Sequence, residues 1–315
     1  MTTPKIRWKL PLLLFAVTWL TAIGLRIDEP LLPGALLYVF GAAPFEELRP
    51  VLEHGLQYAT ALMLILTCHE LGHFLQTWRY GIRSSLPYFI PMPFGPLGTL
   101  GAVIVMDGRI PHRRALFDIG ISGPLAGLAP TFFCLYFGIK WSQIVPASYS
   151  GGLSLGEPLL LQWTVLWMHG PLPPGLEVML HPVAMAGWVG LLLTSLNLMP
   201  LGQLDGGHIF YALLGQRAGR AALGIFYVIL ILVTAYQLWH WILILLILAV
   251  VGVGHPPTAN DAVPLTPLRW LLGWGILAFI LIGFTPTPLR FNDPPPQKNE
   301  PQWYCRMDQD NTVDS

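Results

Sequence analysis

Charged residues are scarce in this chain, and their scarcity excludes several classes of protein. Lys, Arg, Asp and Glu make up 11% of the 315 residues, whereas hydrophobic residues make up 54%. A disordered chain carries much more charge and much less apolar surface than this. The net charge is zero, so no basic surface for nucleic acid is expected. The composition is typical of a polytopic membrane protein in a lipid bilayer.

Cysteine is also rare. The chain has only Cys68, Cys134 and Cys305, which lie far apart in the sequence. This spacing provides neither a disulfide framework nor the paired thiolates of a zinc knuckle. The sequence therefore excludes a small domain held together by disulfides.

What the sequence does contain is a series of apolar stretches that reach, or nearly reach, the length needed to cross about 30 Å of hydrocarbon. They predict an all-α polytopic membrane protein with about six to seven transmembrane helices. The predicted spans are roughly 10–25, 56–80, 115–139, 182–199, two within 221–254, and 268–284. The stretch 221–254 is too long for one span and has polar residues at its middle, which indicates a helical hairpin.

These spans suggest a division of the chain into four parts. Residues 1–55 form an N-terminal span and a non-cytoplasmic loop, and 56–215 form the core. Residues 216–284 form C-terminal transmembrane helices. The Pro-rich tail 285–315 is predicted to be disordered.

A different kind of element is expected between the second and third spans. The segment Ser84–Ile110 is rich in Pro and Gly, and it contains the β-prone run Thr99–Met106. We predict a membrane-associated β-hairpin or re-entrant element here, because irregular backbone at membrane depth must be covered by protein or line a cavity. Two roles stay open: a hairpin that seals the helices, or an edge strand that binds an extended peptide.

The second span carries the sequence His69-Glu70-Leu71-Gly72-His73. Positions i and i+4 share one face of a helix, so His69 and His73 can direct two imidazole nitrogens at one metal ion. Glu70 can act as a base on a water molecule beside the metal. Two histidines and a carboxylate at membrane depth are costly and usually mark a function.

A third ligand is required, because catalytic zinc normally has three from the protein. The fourth span is followed by Leu204-Asp205-Gly206-Gly207-His208. Asp205 is expected at the same depth as the two histidines of the second span, so a His₂Asp site for Zn²⁺ is predicted. Asp205 as a turn residue and His208 as an alternate ligand are the other interpretations.

Other polar residues are given structural roles. Asp118 lies four residues after Arg114, so the two are expected to pair on one helix. His169, His181, His240 and His255 have no partner at a ligand spacing and are interpreted as interfacial or structural.

At these motifs the chain resembles the site-2 protease family of intramembrane zinc metalloproteases. The resemblance lies in His69–His73, in Asn197-Leu-Met-Pro200 followed by Asp205, and in Ser122-Gly-Pro-Leu-Ala-Gly127. The residues from Arg113 to Asp118 are similar to the bacterial and plastid branch, although no inserted PDZ-like domain is evident. The resemblance implies zinc binding by the two His and the Asp, catalysis by Glu70, and contact of Asn197 with substrate or oxyanion.

The sequence therefore predicts a multi-pass membrane protease that hydrolyses peptide bonds in single-span membrane proteins. Basic residues cluster on one side of the predicted spans, which indicates a cytoplasmic active-site face, and a bacterial cell membrane is expected. A metal-ion transporter and a scaffold without catalytic activity are the alternatives. A transporter would not need Glu70 as a base, and an inactive scaffold would not need the complete set of catalytic residues.

Overall fold

The computed structural model describes residues 8–24, 45–93, 97–106, 110–146 and 153–291. Helices account for most of this part. They are α1 Lys9–Gly24, α2 Phe45–Arg79, α3 Arg113–Trp141, α4 Leu159–His169, α5 Pro182–Asn197, α6 Asp205–Leu214, α7 Arg217–Ala235, α8 Ile242–Val251, α9 Pro267–Ala278 and α10 Ile280–Gly283. The strands are β1 Tyr88–Pro91, β2 Thr99–Val103, β3 Gln143–Pro146, β4 Leu153–Leu155, β5 Leu176–Met179 and β6 Leu289–Phe291.

In its coarser form, the prediction of a helical membrane protein is confirmed. Among the described residues, three helices are long and apolar enough to cross a bilayer: Leu48–Arg79 within α2, all of α3, and α7. Shorter apolar helices include α1, α5 and the segments that contain α8 and α9. The number of spans, about six to seven, stays a prediction.

Helices α2, α3 and α5 pack against one another at the centre, and α6 packs against α3. Large side chains such as Trp188, Tyr58 and Phe117 are fully buried there. Apolar side chains on the outer surfaces of the helices, such as Phe133 and Ile231, are exposed. This exposure is expected for helix faces that contact lipid, because lipid tails are as apolar as these side chains.

Strands β1 and β2 form the antiparallel hairpin expected between the second and third spans, with Tyr88 paired to Val103. The regular strand ends at Val103, before Met106, which forms only an isolated bridge with Ser84. The hairpin is tied to the first two helices, because its turn carbonyls at Gly98 and Leu97 accept hydrogen bonds from Thr21 and Tyr58. The hairpin is thus fixed beside the helix that carries the His-Glu motif.

One edge of this hairpin is open. The C=O of Val105 accepts a 2.9 Å hydrogen bond from the N–H of Ser85, and the N–H of Val105 donates a 3.0 Å bond to Ser85 Oγ. Successive residues of a strand direct their backbone groups to opposite edges. Ile104 therefore directs its N–H and C=O away from β1, and within the described residues they bond no other backbone group.

Two of the predicted boundaries differ from the structure. Helix α2 begins at Phe45, so the division at residue 55 falls inside a helix. Acidic residues and Pro50 interrupt the apolar pattern there, which hid the first turns. The loop of the N-terminal part, 25–44, lies outside the described residues, as do 292–315.

The tail is the second difference. Residues Leu289–Phe291 pair with Leu153–Leu155 as β6 and β4, so the predicted disorder is wrong for the start of 285–315. A three-residue strand has too few residues to show alternation, and its partner is distant in sequence. Strands β3 and β5 also form an antiparallel pair, for which the sequence analysis made no prediction.

The expected pair of Asp118 with Arg114 is also wrong. Asp118 instead accepts two hydrogen bonds from Arg269 of α9, at 2.8 and 2.9 Å, and one from the hydroxyl of Tyr80. Arg114 donates to the Pro264 carbonyl oxygen. Tertiary packing places a buried carboxylate beside a planar guanidinium, and this bidentate geometry is favoured over a pair along one helix.

Candidate metal centre and active site

Helix α2 carries three polar side chains into the protein interior in its last turns. His69, Glu70 and His73 are 5%, 4% and 6% exposed. The preceding run, Tyr58–Cys68, has no charge and is mostly buried, in a helix that packs against α3 and α5. The same helix therefore provides the apolar contacts that anchor it and the polar group that follows them.

Asp205 begins α6 and completes a cluster with the two histidines. His69 Nε2 lies 3.0 Å from Asp205 Oδ2, and His73 Nε2 lies 3.2 Å from Asp205 Oδ1. The two Nε2 atoms are 3.2 Å apart. The ligand atoms of all three residues lie within 4.8 Å of one another, and within the described residues this is the one group of its kind.

These separations fit a zinc ion. Ligand atoms bound tetrahedrally at about 2.0–2.2 Å from zinc lie roughly 3.3 Å or slightly more from each other. The donor set fits as well, because two imidazole nitrogens and a carboxylate that converge without a cation or proton would repel one another. His69, His73 and Asp205 could therefore hold the metal ion.

A neighbouring carbonyl fixes the orientation of one of these rings. His73 Nδ1 donates to the backbone oxygen of Ile119 at 2.8 Å. A proton on Nδ1 leaves the lone pair of Nε2 free for a metal, which is the usual arrangement of metal-binding histidines.

Two glycines of α3 make room for the rings. A Cβ on Gly123 would overlap the imidazole of His73, and a Cβ on Gly127 would lie 3.0 Å from the Cβ of His69. The small residues of the Ser122–Gly127 motif therefore do more than let helices approach. They form the surface against which both candidate ligands rest.

A cavity of about 530 Å³ opens beside the cluster. Glu70 lines it together with the metal-site residues, and so does Asn197, whose Nδ2 lies 3.5 Å from His69 Nε2. The end of β2 and the residues that follow it, 102–106, line the same cavity. The structure thus brings together every residue that the sequence proposed for the site.

His208 has a partner that sequence analysis missed. Its Nδ1 lies 2.7 Å from Nε2 of His255, in the loop between α8 and α9, and both side chains line the cavity. His255 stands 47 residues away from His208, so no spacing rule could have paired them. Burial lowers the pKa of His255, because it disfavours the charged ring, and outweighs the hydrogen bond to the Pro256 carbonyl oxygen.

Asp261 anchors the same loop. It accepts a 2.6 Å hydrogen bond from the hydroxyl of Tyr211 and a 2.7 Å bond from Oγ1 of Thr258. Partial burial opposes the ionised form of Asp261, but the bonds from Thr258 and Tyr211 outweigh it and hold its pKa below the usual range.

Comparison with known proteins agrees with this geometry. The model of Peptidase family M50 matches residues 57–236. A rice relative (Oryza sativa subsp. japonica), named "Probable zinc metalloprotease EGY1, chloroplastic", is 32% identical over 236 residues. The match covers 68% of this chain and 40% of that protein.

Further relatives carry similar names. "Probable zinc metalloprotease EGY1, chloroplastic" of Arabidopsis thaliana is 31% identical and the match covers 68% of this chain and 42% of the relative. "Probable zinc metalloprotease EGY2, chloroplastic" of Oryza sativa subsp. indica is 30% identical, with coverage of 64% and 36%. The chain thus spans less than half the length of these relatives. The family match includes both metal-site segments and more than half of the sequence, so the chain belongs to Peptidase family M50, the site-2 protease family.

Proposed function

We propose that this chain is a zinc-dependent metalloprotease that cleaves peptide bonds in or near the transmembrane segments of membrane proteins. The observation that carries the proposal is the convergence of His69, His73 and Asp205 beside Glu70, in a cavity lined in part by α2, a helix long enough to cross a membrane. The names of the relatives support a zinc protease. We propose single-span membrane proteins as the substrates.

The residues have distinct roles in this reaction. Zinc held at the three ligands would act as a Lewis acid that polarises a scissile carbonyl and makes an attacking water more acidic. Glu70 lies next to the ligands on α2 and is not itself one of them, so its carboxylate is available to take a proton from the water and pass one to the leaving amine. The amide of Asn197 can donate to the oxygen on which charge develops.

A substrate helix must unwind before attack, because its amides are hidden in internal hydrogen bonds. We propose that the end of β2 and the residues that follow it, 104–106, hold the unwound segment by strand addition. These residues line the catalytic cavity. The N–H and C=O of Ile104, which bond no other backbone group in the described part of the chain, are directed away from β1. This arrangement favours the peptide-binding role over a hairpin that only seals the helices.

We further propose that the site faces the arginine-rich side of the membrane, within a bundle of six to seven spans. Arg79 ends α2, Arg113 begins α3 and Arg217 begins α7, and Arg113 and Arg217 line one depression. The positive-inside rule assigns that side to the cytoplasm in a bacterial cell. The relatives' names are chloroplastic, so the comparisons give no support to a bacterial cell membrane.

Replacement of Glu70 by Gln tests the proposal against its alternatives. The amide has nearly the same shape but cannot accept the proton, so zinc content should be retained while cleavage of a single-span substrate falls at least about 100-fold. A metal transporter would lose little transport, because Glu70 is not among the ligands. A non-catalytic scaffold would show no cleavage in the wild-type chain either.

The control for this test is His69→Ala, which should lower both zinc content and cleavage. Cleavage by Glu70→Gln at close to the wild-type rate would exclude the base role. Wild-type protein that holds about one zinc per chain and cleaves none of a panel of single-span proteins would contradict the protease assignment.

A further inference from the structure

The loop between α8 and α9 folds back over α6 and forms one wall of the catalytic cavity. We call residues 252–261 the covering loop. Its Val253 carbonyl accepts from the Gly202 N–H at 2.7 Å, and its Ala259 N–H donates to the Ile110 carbonyl at 3.0 Å. Between these two backbone bonds, residues 255–258 line the cavity.

The imidazole pair at the centre of this loop has a defined direction. His255 Nδ1 lies 2.6 Å from the carbonyl oxygen of Pro256. A carbonyl only accepts, so Nδ1 carries the proton, and Nε2 of the neutral ring is the acceptor. His208 Nδ1 must therefore donate to His255. The Nδ1 atom of His208 is therefore engaged in the bond to His255. His208 is also not a member of the metal-ligand group.

A second contact from α6 supports the same loop. The ring of Tyr211 lies 5.0 Å from that of His255, tilted by 35°, and its hydroxyl binds Asp261. Tyr211 and His208 are three residues apart on α6 and so share one face of that helix. Asp205 begins the same helix. The candidate metal ligand and both loop anchors therefore belong to one short rigid element.

The part of the cavity wall formed by Pro256 and Pro257 is better suited to contact a side chain of the substrate than to bond its backbone. Pro256 and Pro257 have no N–H to donate, and the Pro256 carbonyl already accepts from His255. Ile104, directly after β2, provides the backbone groups. An extended substrate would thus bond Ile104 with its backbone and contact the two prolines with an apolar side chain.

We propose that His208 is a positioning residue that, through His255, fixes the Pro256–Pro257 wall as a subsite for an apolar substrate side chain near the scissile bond. This inference rests on the proposed protease function. The subsite acts on substrate binding rather than on the chemical step. Its loss should raise KM, change kcat little, and weaken the preference for large apolar side chains.

Three substitutions of His208 separate the possible roles. The amide nitrogen of Asn stands near the position of Nδ1, so His208→Asn keeps the donor to His255. The amide of Gln stands near Nε2, so His208→Gln loses that donor, as does His208→Ala. We expect Gln and Ala to raise KM roughly tenfold, as expected for one lost buried hydrogen bond. Asn should stay within about twofold of wild type, since the bond is kept.

Two further measurements do not depend on cleavage. Zinc content should be unchanged in all three variants. Amide hydrogen exchange at Ala259 should quicken in the Gln and Ala variants and not in the Asn variant. His240→Ala is the matched control, because His240 also bonds a proline carbonyl, that of Pro286 at 2.9 Å, but does not line the cavity. It should leave KM and the exchange at Ala259 unchanged.

The outcomes divide clearly. An active Gln variant with an impaired Asn variant would show that His208 acts through Nε2, and loss of zinc in all three variants would make it part of the metal site. Either result overturns the inference, as would wild-type KM in all three.

If His208 variants do not fold, His255→Gln, which keeps an acceptor near Nε2, should retain the wild-type KM, whereas His255→Ala should not. If wild-type protein cleaves nothing, the protease proposal fails, and hydrogen exchange still tests the His208–His255 contact.

Discussion

At the scale of single residues, the absence of a side chain matters as much as the ligands. Gly123 and Gly127 stand one helical turn apart on α3, and each faces one candidate histidine. A metal site needs its imidazoles held at fixed angles by the surrounding shell. Here part of that shell is bare backbone, which no side chain could replace without displacing a ring.

Gly123→Ala should therefore impair the metal site. The added methyl would overlap the His73 ring, and disruption of a ligand's surroundings typically lowers metal affinity roughly 10-fold or more. Zinc bound per chain, measured after dialysis against a weak chelator, should fall. Gly224→Ala is the control, because a Cβ there meets nothing within 4 Å. Equal zinc retention in both variants would contradict this account of Gly123.

Much of this site could be predicted from sequence, and the limit is informative. His69, Glu70 and His73 follow a short local pattern, and Asp205 was assigned by its matching depth. The spacing of His255 gave no signal, because a contact between distant loops depends on how the chain folds back. The partner of Asp118 was missed for the same reason, since Arg269 lies on a helix far along the chain.

At the scale of elements, the β1–β2 hairpin is the clearest departure from a simple helical bundle. The β-prone run predicted a strand, and the structure has one over Thr99–Val103. The sequence could not assign which edge is open, because that depends on register. The bridge from Ser84 to Met106 and the Val105–Ser85 bonds set this register.

Ile104→Pro should reduce cleavage and leave zinc content unchanged. The substitution removes the N–H that faces the open edge, so one backbone bond to an added substrate strand is lost. Crosslinks from a substrate segment to this strand should weaken in parallel. Ile104→Val keeps the N–H and the β-branched shape, and it should cleave normally. A proline variant that folds and cleaves as well as wild type would return the hairpin to a sealing role.

At the scale of the whole molecule, the two ends of the long central helix α3 have different surroundings. Its 29 residues span about 43 Å. Arginines gather near its start, whereas its far end leads into β3, which pairs with β5. Composition predicted a membrane protein, and the positions of the basic residues between the predicted spans placed them on one side. Neither gave a sign of the strands at the far end, which are short and pair over long distances.

Single cysteines test this arrangement. Gln216→Cys at the arginine-rich end and Gln143→Cys at the far end, in a background without the native cysteines, should react with a membrane-impermeant reagent from opposite sides. Both positions are exposed and carry no charge. In a bacterial host, Gln143→Cys should be labelled in intact cells and Gln216→Cys only after lysis. The reverse pattern would overturn the orientation.

The position of the histidines along α2 sets the depth at which the proposed cleavage would take place. His73 and His69 precede the last residue of the helix, Arg79, by six and ten positions, which places them about 9–15 Å from that end. An extended chain covers the same distance with about three to five residues. In a substrate whose apolar segment is a uniform run of large apolar residues, a cut should therefore fall at a fixed count from the end of that segment. Inserting two residues at that end should move the cut by two, as mass spectrometry of the products would show; a cut that stays with its original residue pair would mean that sequence, rather than depth, selects the bond.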